Sequence, residues 1–225
     1  MIKIGIPSKG RLRNDILKIF SKKKLKLLSE RGERDLFGFI KGYKNIKIIY
    51  LHAREIVERL GDNSLDIGFS GYDLLKESEI NIQKKILVKK IFNFGNATLV
   101  VAIPNDWIDV QTIADLEEIA FEFKDKKKSR LRVATKYPNL TREFLFSKGV
   151  TQFKLVKSLG ATEIYPFTGS SEIITDITST GETLKANNLR VLKDGEILKS
   201  QACLMISKRN QKIKGLKRIL SILSK

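Results

Sequence analysis

Short apolar runs alternate with amphipathic stretches along most of the chain, and this alternation constrains the fold more than any other feature of the sequence. Residues 2–6, 46–51, 65–69, 99–103, 131–134 and 173–177 are rich in Ile, Leu and Val and read as strands. Between them lie helical patterns. Leu12, Ile16, Leu17, Ile19 and Phe20 mix three- and four-residue steps, and Ile56, Val57 and Leu60 share one face of residues 53–60. Residues 141–146 follow a Pro138-Asn139 start signal. Such alternation argues for an α/β protein whose parallel or mixed sheets are covered by helices. The turn Phe94-Gly95-Asn96 separates two strand-like runs, and a second crossing is expected near Thr180-Gly181. The predicted division is a discontinuous domain I, residues 1–93 plus 182–225, and a domain II, residues 94–181. In the tail, Ile213, Leu216, Leu220 and Leu223 form one helical stripe, suited to docking on its own domain or on a partner helix.

Composition narrows the class. A chain of 225 residues with 42% hydrophobic and 30% charged side chains can bury a real core. It is too apolar for a disordered tail and too polar for a membrane protein. No apolar run approaches the roughly 18 residues of a spanning helix, and the start lacks a signal-peptide core, so a cytoplasmic protein with no membrane partner is expected. Cys203 is the single cysteine and His52 the single histidine. A disulfide framework, a thiolate metal site and a multi-histidine zinc site are thereby excluded within one chain. The formal charge of +18 has two readings. It suits polyanionic partners, whether nucleic acid or small phosphorylated substrates, and it equally suits a lysine-rich solvated surface. No aromatic residues interleave with the runs Lys22-Lys23-Lys24 and Lys126-Lys127-Lys128, which weighs against single-strand binding.

Three loops carry the atoms an anion needs. Thr178-Ser179-Thr180-Gly181-Glu182-Thr183 follows a strand with four hydroxyls and a glycine, and helix formers come next. Backbone amides and hydroxyls there could surround a phosphate without a lysine, or simply cap a helix. Asp176, just before this loop, could accept bonds from sugar hydroxyls. Pro7-Ser8-Lys9-Gly10-Arg11 puts two cations at a helix start, unfavourable unless something negative binds; the alternative is two exposed basic side chains. Phe69-Ser70-Gly71-Tyr72-Asp73 is a third strand end, equally readable as an ordinary turn. His52 beside Arg54 reads as a ligand donor or as a structural histidine. Neither G-x-x-x-x-G-K-[ST] nor G-x-G-x-x-G after a strand is present, so P-loop and Rossmann dinucleotide readings fall.

Together these segments resemble the ATP phosphoribosyltransferase family from Ile4 to about Met205. Residues 6–12 are similar to the family's P-x-G-R-L start. Residues 54–56 and 66–73 resemble its R-x-D-I-P and D-[IL]-G-I-x-G-x-D stretches, and residues 132–142 its A-T-[KE]-[YF]-P element. The most specific match is Glu163, Gly169 and then D-[IV]-x-x-[ST]-G-x-T-L from Asp176. Departures include Glu55-Ile56-Val57 for Asp-Ile-Pro, Gly160-Ala161-Thr162-Glu163 for G-[SA]-[VT]-E, and Tyr165-Pro166 for Ala-Pro.

The resemblance implies two α/β domains like those of type II periplasmic binding proteins, with the active site in the cleft. It also implies the short form, with no C-terminal regulatory domain and with a histidyl-tRNA-synthetase-like regulatory subunit as partner. A dimer of catalytic chains within a hetero-oligomer is the expected assembly. The implied reaction joins ATP to 5-phosphoribosyl 1-diphosphate, giving 1-(5-phosphoribosyl)-ATP and diphosphate, the first step of histidine biosynthesis. The rival class is a cleft-type phosphate-ligand binding module, since fold alone does not decide function; nucleic acid is not expected as a partner. Under this resemblance Thr178, Ser179, Thr180, Gly181, Glu182 and Thr183 hold the 5-phosphate, while Asp176 and Glu163 hold the ribose. Lys9, Arg11, Arg34 and Arg54 face the diphosphate and triphosphate, and Lys9, Arg11, Ser70 and Gly71 bind ATP. Mg2+ is expected through substrate and water oxygens, with no protein metal site.

Overall fold

The computed structural model describes residues 1–29 and 36–224. The chain divides into two compact units. Unit 1 comprises Met1–Asn96 and Gln201–Lys225, and unit 2 is Ala97–Ser200. Unit 1 begins β1 (Ile2–Pro7), α1 (Gly10–Lys22), β2 (Leu27–Leu28), β3 (Phe37–Ile40), β4 (Tyr43–Leu51) and α2 (Ala53–Gly61). It continues with β5 (Ile67–Gly71), α3 (Tyr72–Glu77), α4 (Ile80–Gln83) and β6 (Ile86–Ile91). Unit 2 holds β7 (Ala97–Pro104), α5 (Ile113–Lys126), β8 (Leu131–Thr135), α6 (Pro138–Ser147), β9 (Phe153–Lys157), β10 (Ile173–Thr178), α7 (Glu182–Ala186) and β11 (Leu189–Ser200). The chain then returns to unit 1 as β12 (Ala202–Ser207) and α8 (Leu216–Ser224).

Unit 1 is built on a sheet of order β2-β3-β4-β1-β5-β12-β6, and unit 2 on one of order β11-β7-β10-β8-β9. The inner strands β4, β1 and β5 run parallel, as do β9, β8 and β10. Parallel strands need crossovers, and the helices between them lie on the sheet faces. Ile4, Ile6, Ile48 and Ile67 are fully buried in unit 1, and Val101, Ile103, Leu131 and Val133 in unit 2. The tail docks on its own unit: Leu216, Ile219 and Leu223 enter the core that contains Ile2, Ile4 and Leu204.

The seams predicted at 93/94 and 181/182 are corrected. The chain leaves unit 1 after Asn96 and returns only at Gln201. The cause is β11, which pairs antiparallel with β7 from Leu189↔Pro104 to Ser200↔Ala97 and so keeps residues 182–200 in unit 2. Its polar middle, Lys193-Asp194-Gly195-Glu196, coincides with a register shift and breaks the apolar pattern that marks the other strands.

Two glycines let α2 lie close on the unit 1 sheet. Gly5 and Gly68 are paired neighbours on β1 and β5. A Cβ on Gly68 would stand 2.5 Å from Ile56 Cγ2 and 2.9 Å from Leu60 Cδ1; one on Gly5 would stand 2.6 Å from Leu65 Cδ1. These are core atoms with no room to retreat. Gly68→Ala should therefore destabilise the protein by about 1–3 kcal/mol. Gly160→Ala, where nothing lies within 4 Å, should stay within about 0.5 kcal/mol of the parent. Urea unfolding of the two variants, compared at equal m-values, measures both.

Candidate functional site

In unit 2 the parallel strands β8 and β9 end level with Thr175 of β10, which itself runs on to Thr178 along β7. Thr175 pairs with Thr135, and Thr135 with Lys157. Their carboxyl ends open onto Lys136, the segment 158–163 and the segment 178–181. In α/β sheets that edge is where ligands bind.

Below this edge lies a ring of hydroxyls. Thr175 Oγ1 donates to Thr135 Oγ1 at 2.6 Å, and the Tyr137 N–H donates to the same oxygen at 2.8 Å. With both lone pairs used, Thr135 donates to Thr141 (3.2 Å), and Thr141 closes the ring on Thr175 (2.6 Å). All three side chains are buried. They tie β8, β10 and α6 together through bonds with no competing water. Beside them, the buried hydroxyls of Ser158 and Thr162 bond at 2.9 Å and fix the segment that carries Glu163.

The loop after β10 is folded on itself. Thr178 Oγ1 accepts the Gly181 N–H at 2.8 Å, and Thr180 Oγ1 accepts the Glu182 N–H at 3.4 Å. A hydroxyl that accepts in this way still has its own proton to donate outward. Gly181 has φ +77°, a left-handed conformation that glycine adopts without penalty, and nothing lies within 4 Å of where its Cβ would be. Ser179, Thr180, Glu182 and Thr183 are exposed, so the loop presents its hydroxyls to solvent.

Asp176 is half-buried in β10, two residues before the strand ends. Burial raises its carboxyl above the ordinary 3.8; the positive charge of Lys136 and the Ile177 N–H oppose the rise, and the charge of Glu163 adds to it. Two carboxylates and one lysine therefore share this edge. Arg132 and Glu172 brace it from the other end of β8. The guanidinium meets Glu172 Oε1 at 2.5 Å and the Gly169 carbonyl at 2.8 Å, while the Arg132 N–H donates to Glu172 Oε2 at 2.6 Å.

Unit 1 has a comparable edge at the ends of β1, β4 and β5. Ser8 N–H donates to Leu51 O at 2.8 Å, after which Gly10, at φ +86°, turns the chain into α1. Lys9 and Arg11 are both exposed there. His52 caps α2, its Nδ1 accepting the Arg54 N–H at 3.4 Å, so of its two readings the structural one describes its ring. Arg54 is half-buried in the first turn of that helix. The buried hydroxyl of Ser70 donates to Ala53 O at 2.7 Å and joins β5 to α2. A Cβ on Gly71 would meet the end of the Asp73 side chain. Arg34 lies outside the described residues. A cavity of about 530 Å³ on unit 1, lined by Tyr43, Lys44, Ile213 and Arg218 among others, opens beside Ile2 and Ile46, at the strand starts rather than the strand ends.

Cys203 is buried on β12, and its thiol is pushed up to about 12 by burial first and by the charge of Asp73 second. It is therefore protonated and inert. Among the described residues, no three His, Cys, Asp or Glu side chains converge as metal ligands, and no helix is long and apolar enough to cross a membrane. Lys136 is the charged group that the sequence-based site omitted. It stands inside the quoted A-T-K-Y-P element, but only the pairing of β8 with β10 places it next to Asp176.

The raised Asp176 carboxyl has a signed consequence. Between its ordinary and its raised value, the folded chain holds a proton that the unfolded chain has lost, so stability falls as pH rises through that window. Asp176→Asn should be more stable than the parent at about pH 7, and the gap should close towards about pH 4. Urea unfolding at both values checks the sign.

A family model for ATP phosphoribosyltransferase (HisG) matches residues 52–225. An ATP phosphoribosyltransferase of Nitrobacter winogradskyi is 46% identical over 205 residues, covering 91% of this chain and 63% of that protein. One from Mesorhizobium japonicum is 42% identical over 210 residues, covering 93% of this chain and 90% of that protein. The chain thus spans less than two thirds of the Nitrobacter relative and nearly all of the Mesorhizobium one. Among solved structures, the ATP phosphoribosyl transferase (HisG:HisZ) complex from Thermotoga maritima is similar at a TM-score of 0.77 and 26% identity, over 99% of this chain and 96% of that one. The substrate-binding protein of an amino acid ABC transporter is similar at a TM-score of 0.56 and 14% identity, over 99% of this chain and 89% of that one. The latter likeness is one of fold and shows the periplasmic-binding-protein architecture.

Proposed function

The chain belongs to the ATP phosphoribosyltransferase family, and from that premise we propose that it joins N1 of the ATP adenine to C1 of 5-phosphoribosyl 1-diphosphate, releasing diphosphate in the first step of histidine biosynthesis. The observation that carries this reading is the self-braced loop Thr178–Gly181 at the end of β10, with the Asp176 and Glu163 carboxylates beside it. A phosphate needs several inward-aimed donors, and a ribose diol needs acceptors. The loop and the carboxylate pair supply the two in adjacent positions.

N1 carries its own lone pair, so the attack needs no general base. A chain whose single histidine caps a helix is compatible with such chemistry. The chain's task is to hold the donor in line and to meet the negative charge of the leaving group. Thr178, Ser179, Thr180, Gly181, Glu182 and Thr183 take the 5-phosphate through hydroxyls and amides. Asp176 and Glu163 accept from the ribose hydroxyls. Lys9, Arg11 and Arg54 meet the diphosphate and triphosphate, and arginine suits that role through its forked, permanently charged donors. Ser70 and Gly71 bind ATP, Gly71 through its backbone. Two carboxylates are too few for a full protein shell, so magnesium would be held mainly by substrate and water oxygens, with Asp176 and Glu163 as the nearest protein carboxylates, and would supply charge neutralisation of the diphosphate.

A hetero-oligomer with a histidyl-tRNA-synthetase-like regulatory subunit, containing a dimer of this chain, is the proposed assembly, and the cytoplasm its compartment. The similarity to the Thermotoga maritima HisG:HisZ complex supports the partner.

Purified chain should release pyrophosphate only when ATP, phosphoribosyl diphosphate and magnesium are all present, with the regulatory subunit added if the chain alone is silent. Release from either substrate alone, or none with the partner present, would overturn the reading. Arg54→Ala should lower turnover by about 10²–10³. Thr180→Ala/Thr183→Ala should raise the KM for the ribosyl donor and leave that for ATP unchanged; steady-state kinetics with each substrate varied distinguishes the two.

A further inference from the structure

The loop and the carboxylate pair account for the 5-phosphate and the sugar of the donor, and leave its diphosphate without a cation on unit 2. The strand order of the sheet says where one would have to stand. Across the carboxyl edge the strands run β10, β8, β9. The loop 178–181 follows β10 and the segment with Glu163 follows β9. The position between them belongs to the residue that follows β8. That residue is Lys136, half-buried and one step beyond Thr135.

The position is fixed from below. Thr135 and Thr175 are level across the β8–β10 pair and joined through the buried hydroxyl ring. Side chains alternate along a strand, so Lys136 and Asp176, each one residue further on, fall on the same side of the sheet edge as neighbours. The backbone on both sides of Lys136 is held as well: Ser158 N–H donates to Thr135 O at 3.0 Å, and Tyr137 N–H to the Thr135 hydroxyl. An ammonium at that point is a compact charge with rotatable donors, beside the carboxylate assigned to the ribose. The carbon that carries the diphosphate adjoins the C2 hydroxyl.

We propose that Lys136 contacts the diphosphate of the ribosyl donor and answers its charge from unit 2. This inference rests on the donor-site reading given above. Before substrate arrives, Asp176 and Lys136 balance one another across the strand ends. When the ribose hydroxyls take Asp176, the lysine turns to the diphosphate. Lys136 thus separates a donor that carries a diphosphate from a sugar phosphate that does not.

Calorimetric titration of the full chain with two probes, phosphoribosyl diphosphate and ribose 5-phosphate, tests this. Lys136→Met should weaken the first by about tenfold to a hundredfold, as expected for a hydrogen bond to a charged group, and leave the second unchanged. Lys136→Arg should recover most of the loss. Thr180→Ala, in the loop itself, should weaken both probes. Equal affinity of Lys136→Met and parent for phosphoribosyl diphosphate overturns the inference, as does an equal loss of both probes. A parent chain that binds neither probe removes the donor reading itself, and this inference with it.

Discussion

Three threonine hydroxyls, sealed from water, hold the working edge of unit 2. Thr135, Thr141 and Thr175 each donate once around a closed ring, and Thr135 also takes the Tyr137 N–H. A buried hydroxyl without a partner costs about 1–3 kcal/mol, so the ring has one satisfied arrangement and little freedom to slip. Everything above it inherits that geometry. The register of β8 on β10, with Thr135 opposite Thr175, and the neighbouring positions of Lys136 and Asp176 follow from where these oxygens meet. Rigid support under a solvent-facing loop lets few residues orient a charged ligand.

Unit 1 reaches similar order by a different device. Its edge is set by removing side chains rather than by bonding them. With hydrogens at positions 5 and 68, Ile56 and Leu60 of α2 press directly on the sheet, and the Ser70 hydroxyl ties β5 to the first residue of the same helix. Arg54 sits one residue on, so its place is decided by packing two turns deep. His52 completes the joint as a cap, spending the chain's single imidazole on architecture.

Much of this was legible in the sequence, and the gaps have physical causes. Clusters of Ile, Leu and Val stand out along the sequence even where a Lys, Arg or Asp interrupts them, so β1, β5, β8 and β10 were readable to within two residues at each end. The hydroxyl loop stood out because a glycine and four hydroxyls follow a strand directly, a pattern that serves an anion site or a helix cap. β11 was not, since Lys193 and Asp194 interrupt it and only its pairing with β7 identifies it as a strand. α5 carried a legible signal, the Thr112–Asp115 capping box, that apolar periodicity alone passes over. The surroundings of Ser70 and Lys136 were not legible for one reason. Whether a side chain faces inward to a helix carbonyl or outward beside a carboxylate depends on contacts between distant segments, such as the pair Thr135 and Thr175, 40 residues apart.

The order of strands in unit 1 also bears on how the chain is made. β12 lies between β5 and β6, and Leu204 and Ile206 fill the same core as Ile4 and Ile48. Residues 1–96 therefore lack the strand that completes their sheet until the chain has passed through all of unit 2. Unit 2 is continuous and has all its strands as soon as it emerges. Domains fold as units when their parts are present. The sheet of unit 1 can be completed only by a segment, Gln201 onward, that follows the whole of unit 2 in the chain.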